Sequence, residues 1–247
     1  YATVIDRTGD LYLDSGNNGK IFRINPAGKQ TLWTTMDRPG VYALAVDSQN
    51  QIYAANGPNA KVYRLDGQGK PKLFFDPQQH YIWSLLADKA NNILVGTGPN
   101  GIIYKVTPEG RSEVFYDSKE SHIVTLEWDL EDNLLAGTAP GGLLLRITQD
   151  GSPFVLYDSP LREIKTITLD RYGNIYFAAL ATPDNMQTSS IPINSAAETA
   201  TNLETIGAEN SVSTMKVYKL DKENLVETLY SSNHQIGFDL LMRNNGN

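Results

Sequence analysis

Shifted by about 41 residues, this chain lies onto itself, and a fixed period of this size means one structural unit built several times. Ile82 falls on Ile123 and Ile164, and backwards on Val41; Asp88 falls on Asp129 and Asp170, and backwards on Asp47 and Asp6. The period constrains the fold before any other property does. Each unit carries four short runs rich in β-branched and aromatic residues, bounded by turn residues, which is the signature of strands. The first run ends at the recurring aspartate, as in VYALAVD, IWSLLAD, IVTLEWD and IKTITLD. The second is NNILVGTG, DNLLAGTA or GNIYFAAL, the third KVYRL, IIYKV or LLLRI, and the fourth KLFFD, EVFYD or FVLYD. No stretch holds helical periodicity for long enough to read as a helix.

The turns between runs are chemically specific. DSQNQ, DKANN, DLEDN and DRYGN join the first and second runs. Their Asp and Asn side chains bond the backbone two residues on and tolerate left-handed geometry. NPAGK, DGQGK and TPEGR join the third and fourth. There Pro sets φ early in the turn and Gly supplies positive φ late. The recurring Asp6, Asp47, Asp88, Asp129 and Asp170 are therefore read as hairpin-turn carboxylates rather than calcium ligands. Four antiparallel strands in a unit of this length match one blade of a β-propeller. Small residues in the second strand (Ala54, Ala55, Gly96, Gly137, Ala178, Ala179) suit a sheet pressed between neighbouring blades.

The unit D-x-x-x-N-(I/L)-(L/Y)-x-(G/A)-(T/A), then (V/I)-Y-(R/K)-(L/V), then P-x-G, shows best in Asp88, Asn92, Gly96, Thr97, Tyr104, Lys105, Pro108 and Gly110. On these residues the chain resembles bacterial β-propeller repeat proteins of the NHL and WD-like kind, and more distantly gluconolactonase-like and streptogramin-lyase propellers. The Gly-His and Trp-Asp pairs of WD repeats are missing, as are the Trp-Phe-Thr-Glu strands of the streptogramin lyases. The resemblance implies an all-β fold of four-stranded antiparallel blades and an extracytoplasmic (periplasmic or secreted) location.

The arithmetic of the repeat predicts a single propeller domain over 1–247. It holds five complete units and the first strand of a sixth at IGFDLLM, as part of a ring of six or seven blades. One unit breaks the period. Ile164 and Ile236 open consecutive units, yet the chain between them is far longer than one repeat. The excess falls at 181–215, between the second and third strands of the fifth blade. That segment contains no Lys, Arg or aromatic residue. Such a composition buries little apolar surface. The expectation is an inserted loop, either a mobile decoration or a lid or partner-docking arm.

In this architecture the loops leading into the first strands share a face with the loops between second and third strands. That face would carry the insertion and all three histidines, His80, His122 and His234, with Tyr81, Trp83, Arg162 and Glu163 at comparable places and Arg38 and Tyr42 nearby. Binding residues concentrate on loops held by a rigid scaffold. These residues form the expected ligand-binding face, and the expected function is a non-enzymatic scaffold recognising a protein, peptide or small ligand.

Two other readings are carried. One is a metal-dependent hydrolase or lyase, lactonase-like, with its site in the central channel; Glu127 and Asp239 are the candidate ligands of one divalent cation. The other is a structural subunit of a cell-surface assembly. Otherwise no cofactor, metal or catalytic residue is expected. The chain lacks GxSxG and HExxH motifs. GTGPNG is a hairpin rather than a phosphate loop, since no Gly-Lys-Ser/Thr follows. There is no cysteine, so thiol chemistry and disulfides are excluded. A net charge of −7 argues against nucleic acid as a partner, because a basic patch is the usual footprint of that partner. No apolar run reaches the length of a membrane span, so no membrane insertion is expected.

Overall fold

A computed structural model describes residues 2–16, 18–36, 40–181, 213–233, 237, 239 and 240. Among them are five sheets of four antiparallel strands, each sheet formed by consecutive strands in simple order. The first contains β1 (Thr3–Ile5), β2 (Leu11–Asp14), β3 (Lys20–Ile24) and β4 (Gln30–Thr35). The second contains β5 (Val41–Val46), β6 (Ile52–Asn56), β7 (Lys61–Leu65) and β8 (Pro71–Phe75). The third contains β9 (Tyr81–Ala87), β10 (Ile93–Gly98), β11 (Ile102–Val106) and β12 (Ser112–Asp117). The fourth contains β13 (His122–Trp128), β14 (Leu134–Ala139), β15 (Leu143–Ile147) and β16 (Pro153–Asp158). The fifth contains β17 (Glu163–Leu169), β18 (Ile175–Ala181), β19 (Thr214–Leu220) and β20 (Val226–Ser232). The fold is an all-β propeller, its blades set by the period of the sequence.

First strands of consecutive blades lie side by side, β1 with β5, β5 with β9, β9 with β13 and β13 with β17. Burial falls off from the inside outward. The second strands β6 and β10 are buried along their whole length, whereas β4, β12 and β16 are mostly exposed. Blades pack face to face through Ile82, Ile123 and Ile164, each fully buried. Burying such a side chain stabilises by roughly 1.5–3 kcal/mol. The small residues of the second strand make that contact possible. A Cβ on Gly137 would come within 2.8 Å of the Ile164 Cγ2 of the next blade.

The recurring aspartates close the hairpins between first and second strands. Asp88 Oδ1 accepts the backbone N–H groups of Ala90 and Asn92 at 2.8 Å each, and Asp129 and Asp170 repeat the pattern. The fourth residue of these turns is left-handed at Asn50, Asn91 and Asp132, where φ is positive. Asn and Asp tolerate that conformation better than most residues. The turns are also tied blade to blade. Arg7 N donates to Asn50 Oδ1 at 3.0 Å, Ser48 N to Asn91 Oδ1 at 2.9 Å, and Lys89 Nζ to Asp132 Oδ2 at 2.6 Å. In each case the partner stands 43 residues on, so one polar link recurs around the ring of turns.

Of the long insertion, β18 ends at Ala181 and β19 begins at Thr214, in register opposite it. Residues 182–212, together with Arg38 and His234, lie outside the described residues. Of the sixth first strand expected over 236–242, Gly237, Asp239 and Leu240 are described, and none of them is in a ladder. Asp239 lies against β17, where it accepts a hydrogen bond from Thr166 Oγ1 at 2.8 Å. Among the described residues, the element pairs in extensive contact do not include β1 with β17.

Candidate functional site

The inner strands of the second to fifth blades each carry a bulge at the same place. The ladder between β5 and β6 skips Tyr42, that between β9 and β10 skips Trp83, and those of the next two blades skip Val124 and Lys165. A bulge inserts an unpaired residue and re-aims its side chain, and such features collect at functional rims. Here they sit just inside the loops that lead into the first strands, on the face that also carries the turns between second and third strands. Two positions before each bulged residue stand Gly40, Tyr81, His122 and Glu163. The pairs change character from blade to blade: Tyr42 alone, then Tyr81 with Trp83, then His122, then Glu163 with Lys165.

These residues meet. Tyr81 and Trp83 stack with ring centroids 4.7 Å apart and planes at 20°. Tyr42 of the preceding blade lies 5.8 Å from Trp83 and remains 40% exposed. On its other side, Trp83 donates its indole N–H to Nδ1 of His122 at 3.0 Å. That bond requires Nδ1 of His122 to be unprotonated. Burial pushes the His122 pKa down, and the charge of Glu163 in the next blade offsets this only in part. Glu163 in turn holds Lys165 at 3.1 Å. The cluster is possible because residue 98 is glycine: a Cβ there would stand 2.1 Å from His122 Nδ1 and 2.7 Å from Trp83 Nε1.

His80 extends the row outward, edge-on to Tyr81 at 5.0 Å. It borders a polar recess of about 360 Å³ lined also by Asn59, Lys61, Asp76, Gln78 and Gln79. Within it Lys61 and Asp76 pair at 2.8 Å, and the Lys61 hydrogen bond holds the Asp76 carboxyl below the usual range. Exposed Arg162 lies in the loop leading into β17, next to Glu163. The structure therefore joins His80, Tyr81, Trp83 and His122 into one surface, with Glu163 at its charged end. The sequence places histidines on separate blades around a ring, which makes two of them look independent; Tyr81 and Trp83 bridge them.

The channel candidates sit elsewhere. Burial raises the Glu127 pKa, the Trp128 N–H bond to its Oε1 lowers it, and the negative charge of Asp239 adds to the rise. Asp239 Oδ1 is engaged by Thr166 and by Leu240 N. Among the described residues no group of three His, Asp or Glu side chains converges. These two carboxylates alone do not make up the donor set of a catalytic cation, so no metal-dependent step is derived from them. A cavity that the sequence does not announce opens on the opposite face, with a volume of about 640 Å³. Among the described residues no helix is long and apolar enough to cross a membrane.

No protein-family model and no curated protein matches the chain. Solved structures do match. Virginiamycin B lyase from Staphylococcus aureus superposes with a TM-score of 0.63 at 16% identity, over 96% of this chain and 85% of that one. The extracellular domain of a one-component system from Bacteroides thetaiotaomicron gives 0.66 at 17% identity, over 98% of this chain and 30% of that one. A structure described as a gluconolactonase gives 0.56 at 13% identity, over 71% of this chain and 69% of that one. At these identities the likeness concerns the propeller fold, which hosts both enzymes and extracellular domains.

Proposed function

We propose that this propeller is a non-enzymatic binding scaffold that recognises a protein or peptide on the face bearing its lead-in loops. The observation that carries the reading is the bulged column. Four consecutive blades re-aim one residue each toward the same rim, and the first two are Tyr42 and Trp83. A structural bulge needs no aromatic residue, as Val124 and Lys165 show at the same place. Tyr and Trp are among the side chains that most often dominate binding energy at protein interfaces. Beside them runs a gradient from aromatic rings through His122 to the Glu163–Lys165 pair, with a polar recess at His80. Such a surface offers an apolar anchor, a hydrogen-bonding edge and a charged end to an extended segment. The extracellular domain among the similar structures supports an extracytoplasmic setting.

The test is selection of a random peptide library on the purified chain, followed by affinity measurements on Trp83→Ala and Tyr42→Ala. Selected peptides should weaken about tenfold or more on Trp83→Ala, the loss of roughly 1.4 kcal/mol or more expected of an aromatic anchor. Failure to select any saturable binder, or binders indifferent to both substitutions, would refute the reading.

One observation favours a second reading, a hydrolase acting in the channel. Glu127 is a carboxyl with a raised pKa in a position that is Ala45, Leu86 and Thr168 in other blades. It supports proton transfer by the Glu127 carboxyl, and hydrolysis of a lactone panel abolished by Glu127→Gln is the result it requires.

A further inference from the structure

The second strand of each blade holds a repeated position occupied by Tyr12, Tyr53, Leu94, Leu135 and Tyr176. Where it is tyrosine, the hydroxyl donates to Oδ2 of the blade's own turn aspartate: Tyr12 to Asp6 at 3.4 Å, Tyr53 to Asp47 at 3.3 Å and Tyr176 to Asp170 at 3.4 Å. In the first two blades the ring also packs on an aromatic of the fourth strand, Tyr12 on Trp33 at 4.6 Å and Tyr53 on Phe74 at 4.9 Å. Those fourth-strand residues are bulged, and Phe115 is their counterpart in the third blade. The third blade keeps the aromatic ring and the aspartate but has Leu94 where the phenol would be.

The cavity on the hairpin-turn face lies at this place. Leu94, Phe115, Ile147 and the Trp128 indole form its apolar wall, and Asp88 and Lys105 are among its polar residues. Trp128 is held across the seam between the third and fourth blades, its indole N–H donating to Ala87 O at 2.9 Å. Asp88 Oδ2 takes one hydrogen bond from Asn92 Nδ2 at 2.7 Å, and Lys105 Nζ lies 3.7 Å away. The fifth blade shows that such an oxygen accepts a second donor: Asp170 Oδ2 takes both Asn174 Nδ2 and the Tyr176 hydroxyl. The volume is within the roughly 300–1,000 Å³ range of small-molecule sites and far exceeds one phenol ring.

We propose that this cavity binds a small aromatic alcohol of at least two rings. Its hydroxyl donates to Asp88 Oδ2, as the tyrosines of three other blades do in theirs, and its rings lie against Phe115 and Trp128. This site is on the face of the hairpin turns and does not depend on the lead-in face.

The probe is 2-naphthol, titrated calorimetrically into the whole chain beside naphthalene and cyclohexanol. The expected result is saturable one-to-one binding of 2-naphthol, with both analogues weaker. Leu94→Tyr installs the residue that blades one, two and five carry, and Phe115→Leu installs the leucine of blades four and five. Each should weaken 2-naphthol about tenfold or more while the thermal transition stays cooperative. If Leu94→Tyr fails to fold, Phe115→Leu decides. The proposal is overturned if the native chain gives no saturable binding, if naphthalene or cyclohexanol binds as well as 2-naphthol, or if the folded variants bind it unchanged.

Discussion

Adding one methyl group at Gly98 tests whether the lead-in face is organised around the contact between Trp83 and His122. The backbone itself accepts alanine at this position, because the next blade has Ala139 there, paired with His122 in the ladder as Gly98 is paired with Tyr81. What Gly98→Ala introduces is a Cβ 2.1 Å from His122 Nδ1 and 2.7 Å from Trp83 Nε1. Both atoms must move, and the bond between them is lost. Overpacking of this kind costs about 1–3 kcal/mol and a lost hydrogen bond about 1 kcal/mol, so about 3 kcal/mol in total is expected. For a chain of this size that lowers the melting temperature by about 6–12 °C. Chemical unfolding followed by tryptophan fluorescence measures the change. In a His122→Ala background the same methyl has only Trp83 to displace, and its cost should fall to about 1 kcal/mol. The cycle should then report a coupling of about 2 kcal/mol between positions 98 and 122. Equal costs in the two backgrounds would refute the placement of His122.

Further outcomes follow from the titrating groups and the turns. His122 has a folded pKa below its unfolded value. Its contribution to stability is therefore complete above pH ~6.5 and is lost as the pH falls through the lowered folded value. A His122→Asn chain should lack that slope in unfolding experiments between pH 7 and 5. Glu127 is the reverse case, with its folded pKa raised. Stability falls as pH rises above the unfolded carboxyl value of ~4.3. Glu127→Gln should therefore be the more stable chain at pH 7, with the gap closing toward pH 4; a less stable variant at pH 7 would count against the desolvation of this half-buried carboxyl. Asp129, 7% exposed, caps its turn through Glu131 N, Asn133 N and Asn133 Nδ2. Asp129→Ala strands these donors and should cost about 2 kcal/mol or more in urea unfolding. At the neighbouring exposed position, Leu130→Ala should leave the urea midpoint almost unchanged.

Much of the fold is legible because it is written five times. Strand type, turn chemistry and the recurring aspartates all return with each unit, so an ambiguous run in one blade is settled by its counterparts. The lead-in residues His80, Tyr81, Trp83 and His122 are legible as neighbours of one rim for the same reason. Their mutual contacts are not. The bulge at Trp83 leaves no mark in an alternating pattern, and the bond from Trp83 to His122 joins side chains 39 residues apart whose distance depends on blade packing. Gly98 carries the one signal in the sequence, since glycine there permits the close approach. The cavity at Leu94 shows in the sequence only as a departure from the tyrosine of three other blades. It acquires meaning once the hydroxyl-to-aspartate bond of those blades is seen. The sixth first strand, the ring of six or seven blades and the role of 181–215 stand as expectations from the repeat.

Hydrogen exchange of the chain, alone and saturated with a peptide selected on it, tests the binding face most directly. Protection should appear in the lead-in segments around 40–42, 78–83 and 119–124 and in the adjoining turns at 57–60 and 98–101. Protection centred instead on the opposite hairpins, at 47–51, 88–92 and 129–133, would contradict the assignment of the aromatic rim as the recognition surface.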